Sequence, residues 1–199
     1  MPRKNTLQPE DWTWAAMRAL ADGGIDAVSV EGIAKTLGAS KGSFYWHFAD
    51  RPALLVAMFD LWERDGTADL IDRAKLAGDP VEGLRGLARD ALHAETHGID
   101  VARTESAIRA WASHDPYIGE RFSRVEEART AFLASQIGSL GYDGATAMLL
   151  SKVMHLALIG LFAARASSSS LAEDETYNFL VEDLIARAPR PKSRKKPTT

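Results

Sequence analysis

The sequence contains no cysteine. That excludes a disulfide framework, a thiol nucleophile and a cysteine-bound zinc site. An excess of positive charge is also missing: 24 Lys and Arg stand against 27 Asp and Glu, for a formal net charge of −3. A chain that coats nucleic acid without selectivity would be strongly basic. Residues 1–51 hold six Lys/Arg and six Asp/Glu, so any contact with nucleic acid must come from how those charges are distributed. No alternating strand pattern is present, and no apolar run is read as reaching transmembrane length. The start M-P-R-K-N-T lacks the apolar core of a signal peptide. These absences predict a soluble, cytoplasmic protein with no membrane partner. No G-x-S-x-G, phosphate-binding loop or dinucleotide fingerprint occurs, and no Ser/His spacing singles out a triad. No catalytic residue, cofactor or metal is therefore expected, and the chain reads as a binder rather than an enzyme.

What is present is concentrated between Ser29 and Leu55, in S-V-E-G-I-A-K-T-L-G-A-S-K-G-S-F-Y-W-H-F-A-D-R-P-A-L-L. Ser29 stands where a helix N-cap is expected. Ile33, Ala34 and Leu37 follow on one face, and Gly38 can take the left-handed conformation that ends a helix. Ser40 is a second N-cap. Phe44 and Phe48, four apart, point back into a small core, and Trp46 is read as partly core as well. Lys41, Gly42, Ser43, Tyr45 and His47 are then turned outward. This is a helix-turn-helix with a DNA-facing second helix. Lys41 suits guanine acceptors and Ser43 suits either edge of a base pair. Gly42 allows close approach, and Tyr45 and His47 offer donors to phosphate. Asp50 caps a third segment, with Pro52 in its first turn.

The segment resembles the DNA-binding domain of the tetracycline-repressor (TetR) family of bacterial transcription regulators. The F-Y-W-H-F run and Ala53 to Leu55 carry the resemblance, and Trp12 to Ile25 is similar to the family's first helix. The resemblance implies that Lys41, Gly42, Ser43, Tyr45, Trp46 and His47 lie at the DNA. With the capping residues Ser29 and Ser40 they form the candidate DNA-binding set. It also implies that Arg51 touches phosphate where relatives usually carry lysine. Glu31 departs from the pattern, since an acid repels phosphate while it can accept from cytosine.

Beyond residue 55 the pattern is helical throughout. Helices are expected over 52–72, 81–96, 101–113, 116–139, 145–166 and 171–187, with Ser167 to Ser170 as a linker. The expected fold is all-α, with nine helices in a TetR-like order. Its domains are a helix-turn-helix domain at 1–51, a regulatory and dimerisation domain at 52–187 and a basic disordered tail at 188–199. Arg3 and Lys4 form either an arm toward DNA or a disordered start.

The A-I-R-A-W-A-S-H-D-P run from Ala107 to Pro116 is similar to a motif in many family members. The resemblance implies a ligand cavity in the regulatory domain. Candidate wall residues are Trp62, Trp111, Phe122, Met148, His155 and Phe162, each of which is ordinary core on the plain alternative. It further implies a homodimer built from the last two helices. The apolar 145–166 helix needs a partner for its second face, and Tyr177, Leu180, Val181 and Leu184 form the stripe expected at that interface. The partners expected are a double-stranded DNA operator, a small and largely apolar organic effector, and a second copy of the chain. One alternative is a metal-sensing regulator using His93 and His97, read as i,i+4 on one helix. A remote one is an all-helical enzyme.

Overall fold

The computed structural model describes residues 7–65, 71–72, 78–93, 95–167 and 169–189. Nine α-helices run through them: α1 (Pro9–Gly23), α2 (Val30–Thr36), α3 (Lys41–Tyr45), α4 (Arg51–Glu63), α5 (Pro80–His93), α6 (Val101–Ala112), α7 (Pro116–Ser139), α8 (Gly144–Ala166) and α9 (Asp174–Ala186). A short 3-10 turn at Ile25–Ala27 links α1 to α2. The all-helical expectation holds, with one correction. Glu95–Thr96 and Ile99–Asp100 pair antiparallel as β1 and β2. Arg3, Lys4 and the tail beyond residue 189 lie outside the described residues.

Short polar side chains set the helix starts. Asp50, Asp100 and Asp143 accept the backbone N–H groups of Ala53, Arg103 and Thr146 at 2.8, 2.9 and 3.0 Å. Asp115 does the same for Tyr117 and Ile118 of α7. Each satisfies a donor that the first helical turn would leave open.

The chain packs as two compact units. One holds residues 1–70 and 93–125, the other 71–92 and 126–199. This division differs from a head at 1–51 and a body at 52–187. In the first unit Trp12, Leu20, Phe44, Leu54, Met58, Phe59 and Ile108 are fully enclosed. The hairpin of this unit is also fixed to α1. Its turn residues His97 and Gly98 have φ of 52° and 68°, the pattern of a two-residue type I′ turn. The Trp14 ring stacks on the His97 ring at 3.9 Å, and Arg18 Nη2 donates to the His97 carbonyl at 2.9 Å. The histidine pair is thereby corrected. α5 ends at His93 and His97 sits in the hairpin, so the two never share a helix face. Among the described residues no group of three or more His, Cys, Asp or Glu is arranged to hold a metal.

In the second unit Leu84, Ile137, Ala147, Met154, Val181 and Leu184 form the core. Arg85 and Glu182 pair across α5 and α9 at 2.8 Å. Two expectations change here. α8 is long and apolar enough, by length and composition, to cross a membrane. Tyr177, Val181 and Leu184, expected at a dimer interface, are buried in the unit's own core, and Leu180 is half-buried. The open apolar surface is instead Leu149, Val153 and Leu156 of α8 with Phe179 of α9. Helical spacing places residues on a common stripe, but two apolar stripes compete for the interior.

Tyr177 gives this core a pH signature. Burial pushes its phenol up to about 12 from an ordinary value of 10.0. The unfolded chain therefore loses this proton first. The contribution is intact below pH 10 and lost as the pH rises toward 12. Tyr177→Phe should remove that alkaline loss. The wild type is expected to lose about 2–3 kcal/mol more than the variant over this interval. Denaturant unfolding at both pH values measures it, and parallel losses in the two proteins would refute the assignment.

Candidate nucleic-acid interface

The recognition surface begins with two capped helices. Ser29 Oγ accepts from Gly32 N at 3.1 Å at the start of α2, and Ser40 Oγ accepts from Ser43 N at 3.2 Å at the start of α3. Between them α2 ends in a Schellman motif. Ala39 N donates to Ala34 O at 2.8 Å and Gly38 N to Lys35 O at 3.2 Å, with Gly38 at φ 62°. This closure fixes the angle between α2 and α3. Ser29 and Ser40 are thus seen as capping residues.

α3 has only five residues and is held by its aromatic anchor. Phe44 is fully buried and meets the Trp12 ring edge-on at 5.5 Å. Phe48 stacks on Phe44 at 5.5 Å. Lys41, Gly42 and Tyr45 are exposed, and Ser43 and His47 are half-buried on the flank. Trp46 is 88% exposed, so its reading as partly core is corrected. Phe44 and Phe48 suffice for the seam, which leaves the indole on the same side as the polar set. A Cβ at Gly42 would meet only Ser40 Oγ, at an ordinary 3.6 Å. Nothing inside the protein requires glycine there.

Lys41 and Glu31 form an ion pair linking α3 to α2. The hydrogen bond from Lys41 holds the Glu31 carboxyl below the usual range. The pair explains how an acid is accommodated on this face: it neutralises and orients Lys41 rather than meeting phosphate alone. Both partners are exposed, so water and DNA compete for the lysine.

Arg51 departs from expectation. Its Nε donates to Val28 O at 2.6 Å and its Nη2 to Ile25 O at 2.7 Å. The guanidinium braces the turn between α1 and α2 and does not stand free toward phosphate. Partners 23 and 26 residues away leave no local trace in the sequence.

The ligand candidates fall into separate groups. Trp62, Trp111 and Phe122 are buried in the first unit. Trp62 stacks on Phe122 at 5.6 Å, and Phe59 touches Trp62 and Trp111 at 5.1 and 6.1 Å. Arg121 lies 4.6 Å over Phe59 and is paired with Asp60 and Glu63. In the second unit His155 Nε2 lies 3.3 Å from Glu126 Oε1, Phe162 is buried and Met148 lies at the surface. One polar residue escaped the sequence reading. Glu105 is buried on α6 and accepts from Trp62 Nε1 at 3.1 Å. Its place within an otherwise ordinary amphipathic helix gave no signal.

Residues 14–58 match the family model described as bacterial regulatory proteins, tetR family. Over these residues the chain is similar to the tetR family. That match runs from within α1 to within α4, the elements that build the surface above. The chain is 37% identical over 71 residues to the HTH-type transcriptional regulator AcrR of Shigella flexneri, covering 35% of this chain and 33% of that protein. It is 28% identical over 178 residues to an HTH-type transcriptional repressor of Mycobacterium tuberculosis, covering 87% of this chain and 90% of that one. Among solved structures it is similar to a TetR-family regulator from Streptomyces coelicolor, with a TM-score of 0.75 at 16% identity over 91% of this chain and 89% of that chain. A regulator from Saccharomonospora viridis in complex with choline gives 0.72 at 17% identity, covering 90% and 95%.

Two glycines separate folding from binding. Gly38→Ala must hold a left-handed backbone and should cost the protein about 1–2 kcal/mol. Gly42→Ala sits in an ordinary helical position and should stabilise by about 0.5–1 kcal/mol while weakening DNA binding through its added methyl. Thermal melts and DNA titrations on both variants test this. A Gly42→Ala protein that binds DNA as tightly as the wild type would remove the close-approach role.

Proposed function

We propose that the protein is a cytoplasmic, homodimeric repressor that grips a near-palindromic operator and is released by a small organic effector. It acts by binding and not by catalysis, with a DNA-binding head at 1–51 and a regulatory and dimerisation region at 52–187. The exposed polar face of α3 carries this reading. Lys41 reads a base edge, Tyr45, Trp46 and His47 lie against the backbone, and Gly42 admits the groove. Two copies place their recognition helices in successive major grooves about 34–36 Å apart. The Mycobacterium tuberculosis relative is a named repressor, and the Saccharomonospora viridis neighbour holds a small organic molecule.

The open face of α8 and α9 supplies the second copy's seat. Leu149 is 64% exposed, Leu156 66% and Phe179 73%. Gly160 and Ala163 continue the α8 stripe as small residues that let a second helix come close. Burying this surface offsets the cost of leaving it in water. Of the residues picked from the sequence, Trp62, Trp111 and Phe122, which cluster in the first unit, are the candidate effector contacts. The effector must bind the released state more tightly than the DNA-bound state. About 1–3 kcal/mol of coupling weakens DNA binding roughly 5- to 150-fold.

Three variants test the assembly and the readout. Leu156→Glu adds charge to a side chain that is exposed in the single chain, so it should keep the fold while giving monomers and losing tight operator binding. Leu184→Glu buries that charge in the core and should unfold the second unit instead. Light scattering with circular dichroism distinguishes the two, and a dimeric Leu156→Glu protein would contradict the interface. Lys41→Ala should cost about 1–3 kcal/mol on the operator and less on scrambled duplex. Unchanged specificity would sink its base-reading role.

A further inference from the structure

The face proposed to meet DNA carries little positive charge. Lys41 is the only Lys or Arg between Thr36 and Asp50. It is paired with Glu31, which lies in the first turn of α2 just after the Ser29 cap. The Lys41 and Glu31 side chains are 57% and 62% exposed, so both stand where a duplex would arrive. A face built for general attraction to phosphate would leave out the acid.

Glu31 is held in place and held charged. Hydrogen bonds from Lys41 and from its own backbone N–H keep its carboxyl below the usual range. The open N–H groups of the first helical turn favour a negative charge there as well. In water the pair is worth little, and parting it costs the lysine little. Beside a duplex the cost falls on the acid. A Lys41 ammonium drawn off to a phosphate leaves an unpaired carboxylate in the negative field of the backbone. A guanine edge makes no such demand. An ammonium has three N–H donors, so Lys41 can donate to guanine O6 and N7 and keep one hydrogen bond for Glu31. Both base acceptors are neutral and do not repel the carboxylate.

We infer that Glu31 is a specificity-determining residue: it penalises the use of Lys41 on phosphate and so reserves that lysine for a guanine. The inference rests on the operator-binding reading above and adds to it a repulsive element directed at non-cognate DNA. Selectivity is a difference between two affinities, and it grows as readily by weakening the wrong complex as by strengthening the right one. Glu31 acts through Lys41, so its effect on base choice exists only while the lysine is there.

The test uses the full chain and two duplexes: the tightest sequence that the wild type selects from a randomised pool, and a scramble of it with the same composition. Glu31→Gln keeps the size of the side chain and removes its charge at an exposed position. At about 0.1 M salt this variant should bind the scramble roughly five- to tenfold more tightly, with a salt slope steeper by roughly 0.9, because Lys41 then displaces one more counterion. Its gain on the selected duplex should be smaller, so the ratio of the two affinities should fall at least about threefold. A second selection with the variant should lose a G·C preference in each half-site. Glu31→Ala removes the same charge and should move the ratio the same way, which keeps the test open where Glu31→Gln does not fold. In a Lys41→Ala protein, Glu31→Gln should leave the ratio as it is. An unchanged ratio in both Glu31 variants, weaker binding to the scramble, or an equal fall in the ratio without Lys41 would overturn the inference, while the wild type's own preference left the operator reading standing. A wild type that prefers no duplex over its scramble would overturn both.

Discussion

A helix of five residues does not hold its shape alone in water, because one turn fixes several dihedrals for very few hydrogen bonds. The DNA-reading surface therefore depends on the burial of Phe44 against Trp12, with Phe48 stacked behind it. That seam fixes the rotation of α3 about its own axis. Every outward residue takes its direction from it: Lys41, Gly42, Tyr45 and the exposed Trp46. The Schellman closure at Gly38 and the Ser40 cap fix the remaining freedom, which is the angle at which α3 leaves α2.

The same economy governs the charges of the head. Its six basic and six acidic residues cancel in sum, so function depends on which of them are spent internally. Arg51 is spent on the carbonyls of Ile25 and Val28, where its planar fork meets two acceptors at once. Lys41 pairs with an exposed acid, a partner that costs little to exchange for a base edge or a phosphate. A braced arginine and an exchangeable lysine are what a preformed recognition surface requires.

α1 carries this arrangement further into the first unit. One of its faces supports Phe44 through Trp12. Another receives the hairpin through Trp14 and Arg18. The left-handed His97 is held in place by those two contacts, a conformation that costs about 1–3 kcal/mol where nothing supports it.

The sequence by itself determined the parts governed by neighbours along the chain. The caps at Ser29, Ser40 and Asp50, the stop at Gly38 and the Phe44–Phe48 spacing are all decided within a few residues. They were enough to read an all-helical chain and a helix-turn-helix. Only the tertiary structure decided which of two apolar stripes turned inward. It buried Tyr177, Val181 and Leu184 and left Leu149, Leu156 and Phe179 open. It also took Arg51 away from phosphate, split His93 from His97 and buried Glu105 against Trp62. Each of those outcomes rests on a contact between residues far apart in the chain, or on competition between faces of equal polarity. Local spacing carries no information about either, because helical periodicity says which residues lie together and not what they meet.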